Sequence, residues 1–352
     1  MALLGSTGLA SAAEEALELL SAAHPPCAID SLRALHALTQ SKDFRAATGA
    51  AGDGTREVRA LSVAARLCAR DEAVEEAHAT GALQQLVAVA TGGDVLLQMN
   101  ALHLLRLVGR CAAGLARLEN GGAVVALLHM VGAGGGAPDP TLAPEAAHTL
   151  AHLCAAASTV TPPAAAAATE TLARFTTHTR ALVGALGAAL GGSEREMRVA
   201  ALGAVTELVE GGNDEVAALV LSSGPVARGV ASLAGSAHED SRVAGMLALA
   251  RLAAAVTRLE GKGEPAAAGA GAGAGPATAA GQSSAERPLT GRLLQVVGGI
   301  GADSARAPGL AAVAEALRLP SGTSRAAAYR LLAAVAALPG PEGARLVAGF
   351  DW

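Results

Sequence analysis

One apolar pattern returns through this 352-residue chain at intervals of a little over forty residues. In the segment from Val58 to Cys68, the residues Ala60, Leu61, Ala64, Leu67 and Cys68 fall on one face of a helix. The same order of small and large apolar side chains recurs over 100–109, 145–154, 200–209, 244–253 and 327–336. The segments end on Cys68, Gly109, Cys154, Val209, Ala253 and Ala336, mostly small residues of the kind that close helix–helix approach requires. A second landmark follows: Gly81 stands 13 residues after Cys68, and Gly122 stands 13 after Gly109. Each opens an apolar stretch, Ala82–Val89 and Ala123–Met130, and Gly224 opens a third. Between helix and glycine lies a short helical segment such as Asp71–Ala77.

Long helix, short helix, glycine and apolar helix, at a period in the low forties, is the order of an armadillo repeat. The expected fold is all-α, an armadillo/HEAT-like right-handed α-solenoid. One such unit cannot bury its apolar stripe alone, whereas stacked units build one continuous core. The whole of 1–352 is therefore expected to be a single repeat domain, although its length suggests two compact domains. Composition agrees. The chain is 51% hydrophobic but only 1% aromatic, and Ala, the best helix former, dominates. The four cysteines, Cys27, Cys68, Cys111 and Cys154, are too few for a disulfide scaffold and point to a reducing compartment.

Irregular spacings mark insertions. The 55 residues from Cys154 to Val209 include Pro162-Pro163 and an Ala run near 164–168, which reads as filler. A Gly/Ala stretch over 261–287 reads as a disordered loop, and 132–144 as a shorter one. Phe350-Asp351-Trp352 falls where the next apolar helix should begin, so the C-terminus reads as truncated.

Several function classes are excluded by the residues present. A net charge of −5 and five scattered aromatics leave no electrostatic footprint or stacking platform for nucleic acid. Charged residues or Pro and Gly interrupt the long apolar runs, so no membrane span is expected. The Gly-rich 269–275 stretch fails the dinucleotide fingerprint, and neither a phosphate-binding Gly-Lys-Ser/Thr nor a Gly-x-Ser-x-Gly elbow occurs. His148 and His152 lie four apart with Cys154 nearby, a spacing two metal ligands could use, but no third ligand follows at clear spacing. The lone cysteines read as small core residues rather than nucleophiles. The acidic group Asp71–Glu76 reads as a solvated helix face. No catalytic residue, metal or cofactor is expected, and the chain is read as a non-enzyme.

The remaining surface candidates are Arg66, His103, His148, His152 and Arg251, read as an exposed concave protein-binding ridge. The Trp-and-Asn ladder of nuclear-import receptors is missing: the Trp-like positions hold Ser62, His103, His148, Gly203, Leu247 and Arg330, and the Asn-like positions hold Arg66, Leu107, His152, Glu207, Arg251 and Ala334. The succession from Gly93-Asp-Val-Leu-Leu-Gln-Met-Asn-Ala-Leu to Asn120-Gly-Gly-Ala-Val-Val resembles another family. The runs from Arg198-Val-Ala-Ala-Leu-Gly to Ser241-Arg-Val-Ala, and from Ala327-Ala-Tyr-Arg-Leu-Leu to Trp352, continue the likeness in order. The family is that of 26S proteasome non-ATPase regulatory subunit 5, an armadillo-like chaperone of proteasome base assembly. The resemblance implies a cytoplasmic or nuclear protein, a monomer when free. It would hold a proteasome base ATPase subunit in a precursor and leave before the mature particle works. Another armadillo adaptor, a heat-shock chaperone nucleotide-exchange factor or a ubiquitin-ligase scaffold, is the alternative.

Overall fold

The computed structural model describes residues 29–33, 62–68, 70–92, 94–133, 139–160, 166–261, 289–291, 293–294 and 308–348. The Gly/Ala stretch, apart from Gly261, lies outside the described residues, as do Pro162-Pro163 and Phe350–Trp352. Among the described residues the regular structure is all helical, with no strand. The molecule divides into two compact units, Met1–Leu182 and Val183–Trp352. A repeat stack, in which each repeat touches only its neighbours, has no central core to unite it.

The first unit contains α1 (Asp71–Ala79), α2 (Ala82–Thr91), α3 (Val95–Val108), α4 (Ala112–Asn120), α5 (Ala123–Met130) and α6 (Ala143–Thr159). Two rounds of short, outer and long helix follow one another. Each short helix turns into its outer helix at a glycine, Gly81 or Gly122, with φ 78°. That left-handed conformation costs a side-chain-bearing residue about 1–2 kcal/mol, which is why the sequence landmark is a glycine. Asp94 caps α3 by accepting hydrogen bonds from the backbone N–H groups of Leu96 and Leu97. Packing inside is close. Gly114 of α4 lies so near α3 that a Cβ there would sit 1.8 Å from the Val108 carbonyl oxygen. Leu86, Leu102, Leu105, Leu115, Leu127 and Leu150 are fully buried, each contributing about 1.5–3 kcal/mol.

Direct bonds repeat at the sequence period. Arg117 of α4 pairs with Glu75 of α1, 42 residues earlier. Asp71 of α1 accepts from the Ala113 N–H, again 42 residues away, and so supplies the N-terminal cap that Cys111, the residue before α4, does not provide. Arg106 of α3 donates to Thr149 of α6, 43 residues on. Glu76 pairs with Arg33. The acidic group of α1 is exposed at Asp71, Glu72 and Glu75, as the sequence reading has it, and Asp71, Glu75 and Glu76 also link neighbouring repeats.

Helix α7 (Ala166–Gly191) contains the division between the units. Its first turn is made by Ala166, Ala167 and Ala168, so this part of the Ala run is helix rather than filler. The second unit continues with α8 (Arg195–Gly211), α9 (Asp214–Ser222), α10 (Gly224–Ala234), α11 (Glu239–Gly261), α12 (Pro308–Arg318), α13 (Gly322–Ala336) and α14 (Pro341–Ala348). The long helices α8, α11 and α13 pack in succession, and α10 lies against α11. A Cβ on Gly245 would come within 2.3 Å of the Ala234 backbone nitrogen, so α11 rides directly on α10. Gly224 departs from the earlier pattern. It opens α10 without a positive φ, and Asn213 instead caps the preceding short helix through the Val216 N–H. The chain has an all-α, armadillo-like helical repeat fold. No single helix among the described residues is long and apolar enough to cross a membrane; α9 and α10 reach that length and apolarity only as a pair, bent by 74°.

Candidate protein-binding face

In the first unit, Thr149 on α6 donates its hydroxyl to the Leu102 carbonyl on α3, at 3.1 Å. This bond sets the two long helices side by side where His103 and His148 stand at equivalent repeat positions. His103 is exposed, and His148 and His152 are half-buried. Arg106 crosses the same junction to Glu145 and Thr149. Arg66, on the 62–67 helix, is half-buried and engaged in contacts of its own. The structure therefore places His103, His148 and His152 on adjoining long helices. Arg251 belongs to the second unit, where it is exposed and pairs with Glu210 of α8 at 3.0 Å. Cys154 is buried while His148 and His152 remain partly exposed, so the three do not share one face.

A different set of residues emerges in the second unit. Arg198, Arg242 and Arg325 each stand 11 residues before the small residue that closes their long helix. Arg198 donates from Nε to the Leu190 carbonyl and from a terminal nitrogen to Ser232 on α10, both at 3.1 Å. Arg242, only 5% exposed, reaches the Ser236 carbonyl at 3.2 Å and Glu315 on α12 at 3.4 Å. In both cases the guanidinium ties a long helix to the outer helix of the next repeat. The signal was present in the sequence as Met-Arg-Val-Ala-Ala-Leu, Ser-Arg-Val-Ala-Gly-Met and Ser-Arg-Ala-Ala-Ala-Tyr. An alignment on the apolar pattern alone does not bring it out.

A cavity of about 370 Å³ lies beside Leu190, Arg198, Pro225, Arg228, Gly229 and Ser232. Its polar lining is guanidinium, hydroxyl and backbone. The guanidinium and hydroxyl groups offer donors to a hydrogen-bond acceptor. The buried thiols offer little more. Burial pushes Cys68 and Cys154 up to about 12, and half-buried Cys111 likewise, the reverse of what activates a nucleophile.

Among the described residues, the most enclosed ionisable pair joins α4 to α7. His178 Nε2 lies 3.0 Å from Glu119 Oε1, with the side chains 15% and 6% exposed. Phe175 meets the imidazole edge-on at 5.9 Å, and the second Glu119 oxygen is buried without a partner. This pair holds two helices together inside the first unit.

No family model matches the chain, and no curated protein matches it. Solved structures similar to it include a designed armadillo repeat protein in complex with the peptide (KR)4, at 15% identity and a TM-score of 0.49, covering 86% of this chain and 98% of that one. A second designed armadillo repeat protein is 14% identical with a TM-score of 0.44, over 86% and 99% of the two chains. An engineered protein is 16% identical with a TM-score of 0.46, over 86% and 97%.

Proposed function

We propose that this chain is a non-enzymatic, protein-binding repeat scaffold. The observation that carries the reading is the junction of α3 and α6. Two long helices held in register present His103, His148 and His152 at repeated positions, which suits recognition of an extended or helical partner surface. The polar groups of the cavity suit binding rather than proton transfer.

Within that class, the reading preferred here is an assembly chaperone of the 26S proteasome regulatory particle base that holds an ATPase subunit in a precursor. Its support is the ordered likeness of three stretches of the sequence to the non-ATPase regulatory subunit 5 family. Affinity capture of the tagged full chain followed by mass spectrometry tests it. Recovery of base ATPases without the proteolytic core is expected, with recovery falling at least fivefold for His103→Ala/His148→Ala. Recovery of heat-shock chaperones, or of no ATPase, overturns the chaperone reading. Unchanged ATPase recovery by the double variant overturns the assignment of the ridge.

A further inference from the structure

The cavity between α7, α8 and α10 gathers positive charge without an answering carboxylate. Its lining lies wholly within the second unit and contains no acidic residue. Four other arginines of that unit are neutralised: Arg195 pairs with Asp240, Arg242 with Glu315, Arg251 with Glu210 and Arg258 with Asp214. Arg198 and Arg228 both line the cavity, and neither has a carboxylate partner among the described residues. This happens in a chain whose net charge is −5. Two guanidiniums on one small cavity repel each other, and an anion between them relieves that repulsion.

Close packing shapes the space. A Cβ on Gly187 would stand 2.9 Å from the Pro225 Cβ, and one on Gly229 would stand 2.4 Å from the Leu190 Cβ, so α7 and α10 touch along these glycines. A Cβ on Gly191 would meet nothing within 4 Å, so the crevice opens at the end of α7. Arg198 is fixed beside this opening by its bonds to the Leu190 carbonyl and the Ser232 hydroxyl oxygen. Ser232 accepts from Arg198, so its own hydroxyl hydrogen is left to donate, as is the other terminal nitrogen of Arg198. Arg228 is exposed and makes no hydrogen bond or ion pair among the described residues. Its side chain turns back toward the start of α10, where Nη1 would lie 3.2 Å from a Cβ on Gly224. The fold thus holds one guanidinium in place and leaves the second for a ligand.

A carboxylate is planar, carries one charge and is met in full by one guanidinium. A phosphate monoester carries about −1.5 to −2 charges at neutral pH and presents three acceptor oxygens. That matches two guanidiniums and a hydroxyl. We infer that this cavity binds a phosphate monoester, with Arg198, Arg228 and Ser232 as its donors. The phosphate can come from a phosphorylated side chain of a partner protein or from a small phosphorylated molecule. The inference stands apart from the histidine ridge and from the proteasome reading.

Phosphorus NMR relaxation on the full chain, in about 0.15 M sodium chloride to screen unspecific attraction, tests it with two probes. One is inorganic phosphate and the other is a blocked Gly-phosphoserine-Gly peptide. The same peptide with glutamate in place of phosphoserine is the competitor. Saturable binding of at least one phosphorus probe is expected, with the glutamate peptide competing about tenfold more weakly or worse. Arg228→Gln is expected to weaken binding by about fivefold or more while leaving the melting temperature unchanged, because Arg228 has no partner to lose. Arg198→Gln should weaken it too, but also loosens a helix contact, so Arg228→Gln decides if that variant unfolds. Tighter binding of the phosphopeptide than of inorganic phosphate supports the site with a protein-borne phosphate. No such gain supports it with a small phosphorylated molecule. Absence of saturable binding, equal competition by the glutamate peptide, or an affinity that Arg228→Gln leaves unchanged overturns the inference.

Discussion

Removing the imidazole of His178 tests whether the buried contact between α4 and α7 holds the first unit together. Glu119 is the more enclosed partner, with a side chain 6% exposed, and one of its oxygens is satisfied only by His178, at 3.0 Å. The other oxygen is already buried without a hydrogen bond. His178→Ala therefore leaves an uncompensated carboxylate in a nearly dry site and takes away the edge of the Phe175 contact. Breaking a buried pair from one side costs about 3–5 kcal/mol. Because the imidazole is 15% exposed and water can reach the gap it leaves, the expected loss is about 3 kcal/mol. Replacing both partners by leucine removes the charge with the partner and should cost much less, about 1 kcal/mol or under. Urea unfolding followed by circular dichroism at matched slopes gives both values. A single variant that loses under about 1 kcal/mol, or a double variant as unstable as the single, refutes the reasoning.

Two further perturbations are sharp enough to check. Gly114→Ala drives a methyl to within 1.8 Å of the Val108 carbonyl and should destabilise by about 1–3 kcal/mol, whereas Gly184→Ala, exposed on α7 with nothing within 4 Å, should stabilise by about 0.5–1 kcal/mol; thermal unfolding orders the two. Hydrogen bonds from Ser321, then Ser324 and Thr323, hold the Glu239 carboxyl below the usual carboxylate range. A depressed folded value means the stabilisation is full above the unfolded value of about 4.3 and is lost as pH falls through the folded one. The melting temperature of Glu239→Gln should therefore lie below that of the parent at neutral pH and converge with it in acid, and a gap that persists in acid contradicts this account.

The repeat was legible because its two signals are forced by covalent geometry. An apolar face at helical spacing has one way to be buried, and Gly81 and Gly122 occupy a conformation that other residues adopt only at a cost. Polar links were not legible in the same way. Asp71, Glu75 and Glu76 look like any solvated acidic turn until Ala113, Arg117 and Arg33 are found opposite them. Spacing shows that two residues are one period apart, but not which way long side chains reach. Gly224 opens its apolar helix as the spacing predicts, but without a positive φ: a glycine at a helix start serves as well for a close approach or a plain turn as for a left-handed one. Of the ridge, the shared position of His103 and His148 could be read from alignment, while the pairing of Arg251 with Glu210 needed the packed helices.

The 42-residue links have a consequence for how the stack finds its order. Counting by that period, Arg33, Glu75 and Arg117 occupy one equivalent position in successive repeats, and their signs alternate. The apolar faces are near copies of one another, so packing by itself would tolerate a repeat docking one place too far along. Such a slip would part Arg33 from Glu76 and Arg117 from Glu75, where correct stacking gives each arginine a glutamate. Each of these exposed pairs is weak by itself, so together they tilt the stack toward the correct place, a bias that hydrophobic burial alone does not supply.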